Sequence, residues 1–338
     1  MISREALDLH REAVVIDLHA DTPKFMARGY DLAKRHRTPW PLTEWGGHVD
    51  LPRMEAGGLS AQWFGLWTSP VRIPGTSRAA DVHRQLDALD RAAAVEPARF
   101  RLALTAEDLR RAKADGATAG LRGIEGGQAL EGRIDHLDAF AARGVRYLGL
   151  LHFSRNELGS PALGLDRPGQ RRRGLTPLGF DVVDRCGELG VLVDLAHVNR
   201  AGFADVIART TAPVLVSHTG VAGVREHWRN IDDAQVRAVA DTGGVVGIIF
   251  SPRFVGGHLD AVVDHLLHVV RIAGPGAVAL GSDWDGFVRP AKGLDDPASL
   301  PHLTEALLRR GLAADDVLGL LGGNVLRVLD AVPPRAAA

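Results

Sequence analysis

The sequence predicts an α/β fold, a (β/α)8 TIM barrel with elaborated loops after its strands. Three observations carry that expectation. Short apolar runs alternate with amphipathic stretches along nearly all of the 338 residues. Several of these runs are apolar without interruption, as parallel strands buried on both faces must be. No compositional break or proline- and serine-rich linker divides the chain, so residues 1–338 are expected to form one domain, with a core over about 12–330 and a short Ala/Pro-rich tail at 331–338. Repeated βα units imply parallel strands joined by right-handed crossovers, and eight of them close a barrel. The competing architecture, an open doubly wound sheet, ordinarily places a glycine-rich phosphate turn after its first strand. Here that strand runs into His19-Ala-Asp-Thr-Pro, with no glycine.

Eight strands are expected, at 14–18, 59–66, 118–124, 145–151, 191–195, 214–217, 245–249 and 278–281. Helices fill the intervals. Thr105-Ala-Glu-Asp supplies an N-cap followed by early acids, and 177–189 keeps Leu178, Val182, Val183 and Cys186 on one face. A third helix starts on the acidic cap Asp232-Asp233. The connection over 22–58, containing Trp40 and Trp45, is too long for a plain turn and is expected to form a lid or pocket wall.

Forty basic against 41 acidic side chains leave a net charge of −1, which excludes the clustered positive charge that nucleic acid or anionic membranes require. Neither kind of partner is expected. The single cysteine, Cys186, permits no intrachain disulfide and falls on an apolar helix face, where a buried, inert thiol is expected. Residues 1–15 lack the apolar stretch of a secretory signal, and no apolar run reaches membrane-spanning length, so a cytoplasmic protein is expected.

Chemistry is written at the ends of the strands. His19 and Asp21 alternate onto one side of the first strand, with Asp17 a step behind, and an imidazole beside a carboxylate suits a cation such as Zn2+. Glu125 follows the third run, His152 the fourth, His197 the fifth and His218 the sixth; Asp283 and Asp285 follow the eighth. Any one of these histidines alone reads equally well as a hydrogen-bonded buried imidazole. In a barrel, however, all these ends converge on the C-terminal face, where catalytic sites are built, and polar groups at the ends of buried strands are too costly to recur without a use.

In order along the chain, His19-Ala-Asp-Thr-Pro, Glu125-Gly-Gly, Gly174-Leu-Thr-Pro-Leu-Gly, Val193-Asp-Leu-Ala-His197, Ser217-His218, Arg229-Asn-Ile-Asp-Asp, Gly281-Ser-Asp-Trp-Asp-Gly and Gly322-Gly-Asn-Val-Leu-Arg resemble the membrane (renal) dipeptidase family, the dinuclear zinc peptidases of family M19. The resemblance implies an amidohydrolase-like barrel with two zinc ions per chain. It places His19 and Asp21 on the first zinc, His197 and His218 on the second, and Glu125 between them. It implies hydrolysis of small dipeptides, L,L and L,D, by a metal-bridging hydroxide. His152 would stabilise the developing oxyanion, Asp283 would meet the substrate amine and move a proton to the leaving nitrogen, and Arg229 would grip the terminal carboxylate. A homodimer is the default assembly.

The chain departs from the family pattern at Gly247-Ile-Ile-Phe-Ser-Pro252, which puts any substrate contact made there in doubt. Asp17 and Asp194 are expected to support ligands rather than to be ligands. Trp63 and Trp67 are expected in the core or at the rim, and the Arg171–173 run in a solvated loop beside the barrel mouth. A related barrel hydrolase acting on N-acyl amino acids, lactams or lactones is the alternative activity, and a non-catalytic zinc-binding scaffold a third.

Overall fold

A computed structural model describes residues 2–38, 42, 45–71, 73–163 and 173–335. Trp40 and Arg171–172 lie outside the described residues. The strands in chain order are β1 (Val15–Ala20), β2 (Leu59–Trp67), β3 (Phe100–Leu102), β4 (Thr118–Glu125), β5 (Val145–Gly149), β6 (Leu192–Asp194), β7 (Leu215–Thr219), β8 (Val245–Ile248) and β9 (Val278–Leu280). All pairings between them are parallel, in the order β2-β1-β9-β8-β7-β6-β5-β4. Seven residue pairs, from Ala61–Ala119 to Trp67–Glu125, join β2 to β4 and close the barrel. The eight expected strands are these eight.

β3 is the one strand absent from the sequence expectation. It pairs only with the first three residues of β4, and only Phe100 among its residues is fully buried. Three residues with an arginine in the middle give no apolar run to detect.

One buried cluster draws a side chain from every barrel strand: Ile16 and Leu18, Ala61 and Trp63, Ala119 and Leu121, Tyr147, Leu192, Leu215, Val245 and Ala279. All eight strands meet only along the barrel axis, so this cluster is the barrel interior. Val325, Val328 and Leu329 of the helix Asn324–Ala331 join it. Asn324 donates to the carbonyl of Val278, and Arg146 to that of Val332, so this helix lies under the N-terminal ends of the strands and plugs the barrel there. The opposite, C-terminal end remains for a site.

The helices form where their caps specify. Thr105 and Asp108 form a reciprocal capping box, as do Asp232 and Gln235. Pro177 opens the helix Pro177–Leu189, and Gly190 ends it in the left-handed conformation. Cys186 is buried inside that helix's packed face, and burial pushes its thiol up to about 12, as expected of an inert cysteine. Among the described residues no helix is long and apolar enough to cross a membrane.

The connection over 22–58 is fastened to the loop after β9. Asp285 accepts from the Thr22 hydroxyl at 2.7 Å and from the His48 N–H at 2.8 Å, while its own N–H donates to His48 Nδ1. Asp285 is therefore a structural tie, which separates its role from that of Asp283. Trp45 meets Phe287 edge-on at 6.3 Å, so this connection does reach the barrel mouth.

Candidate metal centre

Glu125, the last residue of β4, stands at the hub of the C-terminal face. Its Oε1 lies 3.3 Å from His197 Nε2, 3.5 Å from both His19 Nε2 and His218 Nε2, and 3.6 Å from His152 Nε2. His19 belongs to β1 and His218 to β7, whereas His152, His197 and Asp283 each lie three residues beyond the end of β5, β6 and β9. His197 and Asp283 reach inward through positive φ angles of 65° and 62°. Such angles are uncommon outside glycine, and side chains held in them concentrate at functional sites. His19 Nε2 also lies 3.3 Å from Asp21 Oδ1 and 3.9 Å from Asp283 Oδ1.

Alternation along β1 brings His19 and Asp21 to this centre as expected, but Asp17 does not follow. The register of β1 against β2 shifts between Asp17 and Ala20. Asp17 instead accepts hydrogen bonds from the Ser282 N–H and hydroxyl and from Gln62, fixing the start of the loop that carries Asp283. Asp194 supports a ligand more directly. It accepts from the Ser217 hydroxyl at 2.7 Å, and that hydroxyl is hydrogen-bonded to His218 Nδ1 at 2.9 Å.

Two supporting residues escaped the sequence. Tyr147 hydroxyl bonds His19 Nδ1 at 2.8 Å, leaving Nε2 to face the centre. Gly123 makes room for that ring, since a Cβ there would lie 2.1 Å from Tyr147 Cζ. Lys24 is buried, donates to Asp21 Oδ2 at 3.0 Å, and stacks its ammonium 3.7 Å from the centroid of the Phe287 ring. A lysine three residues beyond Asp21, in the one-turn helix Pro23–Met26, gave no signal beyond its proximity in sequence.

Burial would raise the Asp21 carboxyl, but Lys24 and His19 hold it below the usual range. His19 shows the same contest: burial disfavours its charge, yet the nearby carboxylates of Asp21, Glu125 and Asp283 carry its pKa up to about 10. Glu125 is raised by burial and by the neighbouring Asp21. Burial drives His152 down to about 3 against the opposing pull of Asp21, and His197 and His218 are also lowered, by burial first and nearby cations second. Three neutral imidazoles thus face a group of carboxylates.

Among the described residues, His19 Nε2, Asp21 Oδ1 and Glu125 Oε2 are buried without a hydrogen-bond partner. Three unsatisfied polar atoms meeting at one point would each cost on the order of 1–3 kcal/mol, and a cation satisfies all of them. His19, Asp21 and Glu125 form one triad able to hold a metal; Glu125, His152 and His197 form another, and His19, His218 and Asp283 a third. The first triad matches the ligands expected at one metal. His197 and His218 fall in different triads but face each other, Nε2 to Nε2, at 2.9 Å. This nitrogen and oxygen donor set fits Zn2+.

The centre opens into a cavity of about 470 Å³ whose lining includes Asp21, Glu125, His152, His197 and Asp283. Arg229 also lines it, buried, with one guanidinium nitrogen donating to the His218 carbonyl at 2.6 Å. Trp67 walls the cavity, whereas Trp63 is in the barrel interior. All eight residues expected at the site therefore meet in one cavity or, for His19 and His218, in the cluster at its floor.

Residues 3–337 match the family described as membrane dipeptidase, peptidase family M19. A curated relative, dipeptidase tcpJ of Claviceps purpurea, is 32% identical over 334 residues, spanning 95% of this chain and 78% of the relative. Among solved structures, the dipeptidase AC, a metallopeptidase of family M19, is 28% identical with a TM-score of 0.83 over 96% of this chain and 99% of its own. A metallopeptidase from Rhodobacter sphaeroides, liganded with a phosphinate mimic of the dipeptide L-Ala-D-Ala, is 27% identical with a TM-score of 0.82 over 95% of this chain and 99% of its own. The probable dipeptidase PvdM from Pseudomonas aeruginosa, 21% identical with a TM-score of 0.87 over 97% and 98% of the two chains, shares the fold. The chain belongs to the membrane dipeptidase family, peptidase family M19, and is a metallo-dipeptidase.

Proposed function

We propose that this enzyme holds two zinc ions, His19 and Asp21 on one, His197 and His218 on the other and Glu125 shared, and that it hydrolyses the amide bond of L,L and L,D dipeptides. The observation that carries the proposal is the position of Glu125 Oε1, within 3.3–3.6 Å of four imidazole nitrogens. A shared carboxylate supplies negative charge where two cations would otherwise repel. When bound, the cations lower the pKa of water enough to make it a nucleophile near neutral pH.

The protein's own groups do the rest. His152, held neutral by burial, donates a hydrogen bond toward the carbonyl oxygen as negative charge develops there. Asp283, whose carboxyl burial raises above the usual carboxylate range, lines the same cavity and delivers a proton to the leaving nitrogen. Arg229 keeps its charge even though burial lowers it to about 10, and pairs with the terminal carboxylate. Clamping that carboxylate a fixed distance from the scissile bond selects short substrates.

Metal analysis paired with hydrolysis of free Ala-Ala tests the proposal. About two zinc ions per chain are expected, with activity lost on chelation and restored by zinc. Full activity with one metal or none would overturn it.

A further inference from the structure

Lys24 is a buried cation beside a metal-facing carboxylate, and hydrolysis of the amide bond gives it no step. It is 2% exposed, and its Nζ donates to Asp21 Oδ2 at 3.0 Å. Three rings enclose the ammonium, with centroids at 3.7 Å for Phe287, 5.1 Å for Phe25 and 5.6 Å for Trp67. They come from three consecutive strands of the barrel. Lys24 and Phe25 lie in the helix Pro23–Met26 after β1, Trp67 ends β2, and Phe287 lies in the loop after β9, the strands standing in the order β2-β1-β9. Ring faces attract a cation removed from water but accept no strong hydrogen bond from it, so the ammonium is directed at Asp21.

The nearest ring is itself tightly placed. Phe287 has a φ of 60°, an angle a bulky side chain keeps only where its surroundings enforce it. Its ring meets Phe25 and Trp45 at 6.3 Å each and Trp67 at 5.9 Å, all edge-on. Phe287 and Trp67 also line the substrate cavity, and Phe287 is half-exposed there. One wall of the cavity is therefore also the cover of Lys24.

The two oxygens of Asp21 have separate tasks. Oδ2 takes the ammonium, whereas Oδ1 is buried without a hydrogen-bond partner, 3.3 Å from His19 Nε2, where the triad of His19, Asp21 and Glu125 converges. We infer that Lys24 is a positioning residue for the first metal: it holds Asp21 by Oδ2 so that Oδ1 is presented to the ion, and Phe287 holds Lys24. The inference rests on the two-metal reading of the site. Lys24 acts on the ion in two opposed ways, since its charge repels a cation while its hydrogen bond fixes the ligand. Fixing the ligand wins, because without Lys24 the carboxylate is free to turn and its second oxygen is left buried and unpaired.

The test titrates zinc into the metal-free protein against a chromophoric chelator, for the native chain, K24M, F287A and the K24M/F287A double variant. Two binding steps are expected in the native chain. K24M should weaken one of them about 10- to 100-fold, the usual loss when the partner of a metal ligand is removed, and leave the other unchanged. F287A, which keeps both Lys24 and Asp21, should weaken the same step about threefold, the scale of one cation–π contact, and should have no further effect once Lys24 is absent. A lysine that served only the stability of the fold would alter neither step. Unchanged zinc affinity in either single variant, tighter binding in K24M, or losses that add in full in the double variant would overturn the inference. If K24M does not fold, F287A decides by itself. A native chain that binds one zinc ion or none would instead overturn the reading of the site on which the inference rests.

Discussion

Asp283 shows how closely a single side chain is held. Its backbone is in the left-handed region, its N–H is bonded to the His19 carbonyl at 3.0 Å, and a Cβ at Gly286 would lie 1.9 Å from its Oδ1. Gly286→Ala must therefore displace the carboxylate without touching Glu125, His197 or His218. A misplacement of about 1 Å at a reacting group costs about 100-fold in rate. The expected result is a kcat for Ala-Ala lowered by about that factor with zinc content unchanged, and Asp283→Asn should reproduce the pattern. An unaltered kcat for either variant would remove Asp283 from the reaction. The site residues other than Arg229 were legible because each puts a polar group at or just beyond the end of an apolar run; Arg229, in the loop after β7, was found only through the family resemblance. Lys24 and Tyr147 were not legible: their roles exist only through contacts with Asp21 and His19 that the fold creates.

Strands were legible by the apolar character of the chain around them rather than by length. β6 and β9 have 3 residues each, as β3 does, but lie in apolar stretches, whereas β3 is Phe-Arg-Leu and is strand only because β4 is beside it. Docking between elements was not legible, and His265 is an instance. On the helix Leu259–Ala273, this buried imidazole accepts the Val221 N–H at 2.9 Å, joining that helix to the segment after β7. Burial lowers its pKa to about 4, so the folded chain keeps it neutral while the unfolded chain protonates it near the ordinary imidazole value of 6.5. A histidine lowered in this way contributes stability that is fully present above about 6.5 and is lost as the pH falls toward 4. One such proton contributes a slope of up to about 1.4 kcal/mol per pH unit. Urea unfolding at several pH values between these limits should show a shallower loss of stability for His265→Gln than for the native chain. Identical slopes would show that the imidazole does not titrate with unfolding.

At the scale of the whole molecule, the barrel separates its two ends by purpose, and glycine marks both. Gly65, in β2, lies at the top: a Cβ there would fall 2.6 Å from His19 Cε1 and 2.8 Å from Asp21 Oδ1. Gly322 lies at the bottom, just before the plugging helix, and a Cβ there would fall 1.9 Å from the Val14 carbonyl oxygen. The same chemical change, glycine to alanine, therefore meets metal-facing side chains at one end and main chain at the other. Catalytic groups in such barrels come from the C-terminal ends of the strands, while the N-terminal face serves stability. Gly65→Ala is expected to lower zinc retention and activity together, with little change in the unfolding midpoint of the metal-free protein. Gly322→Ala is expected to do the reverse. It forces the helix Asn324–Ala331 away from the interior cluster it completes, a strain on the order of 1–3 kcal/mol, while folded molecules keep their zinc and their kcat. Urea unfolding with metal analysis on the same samples separates the two outcomes. If Gly322→Ala lost zinc as readily as Gly65→Ala, the two ends would be coupled, and the plug would have to be counted as part of the site.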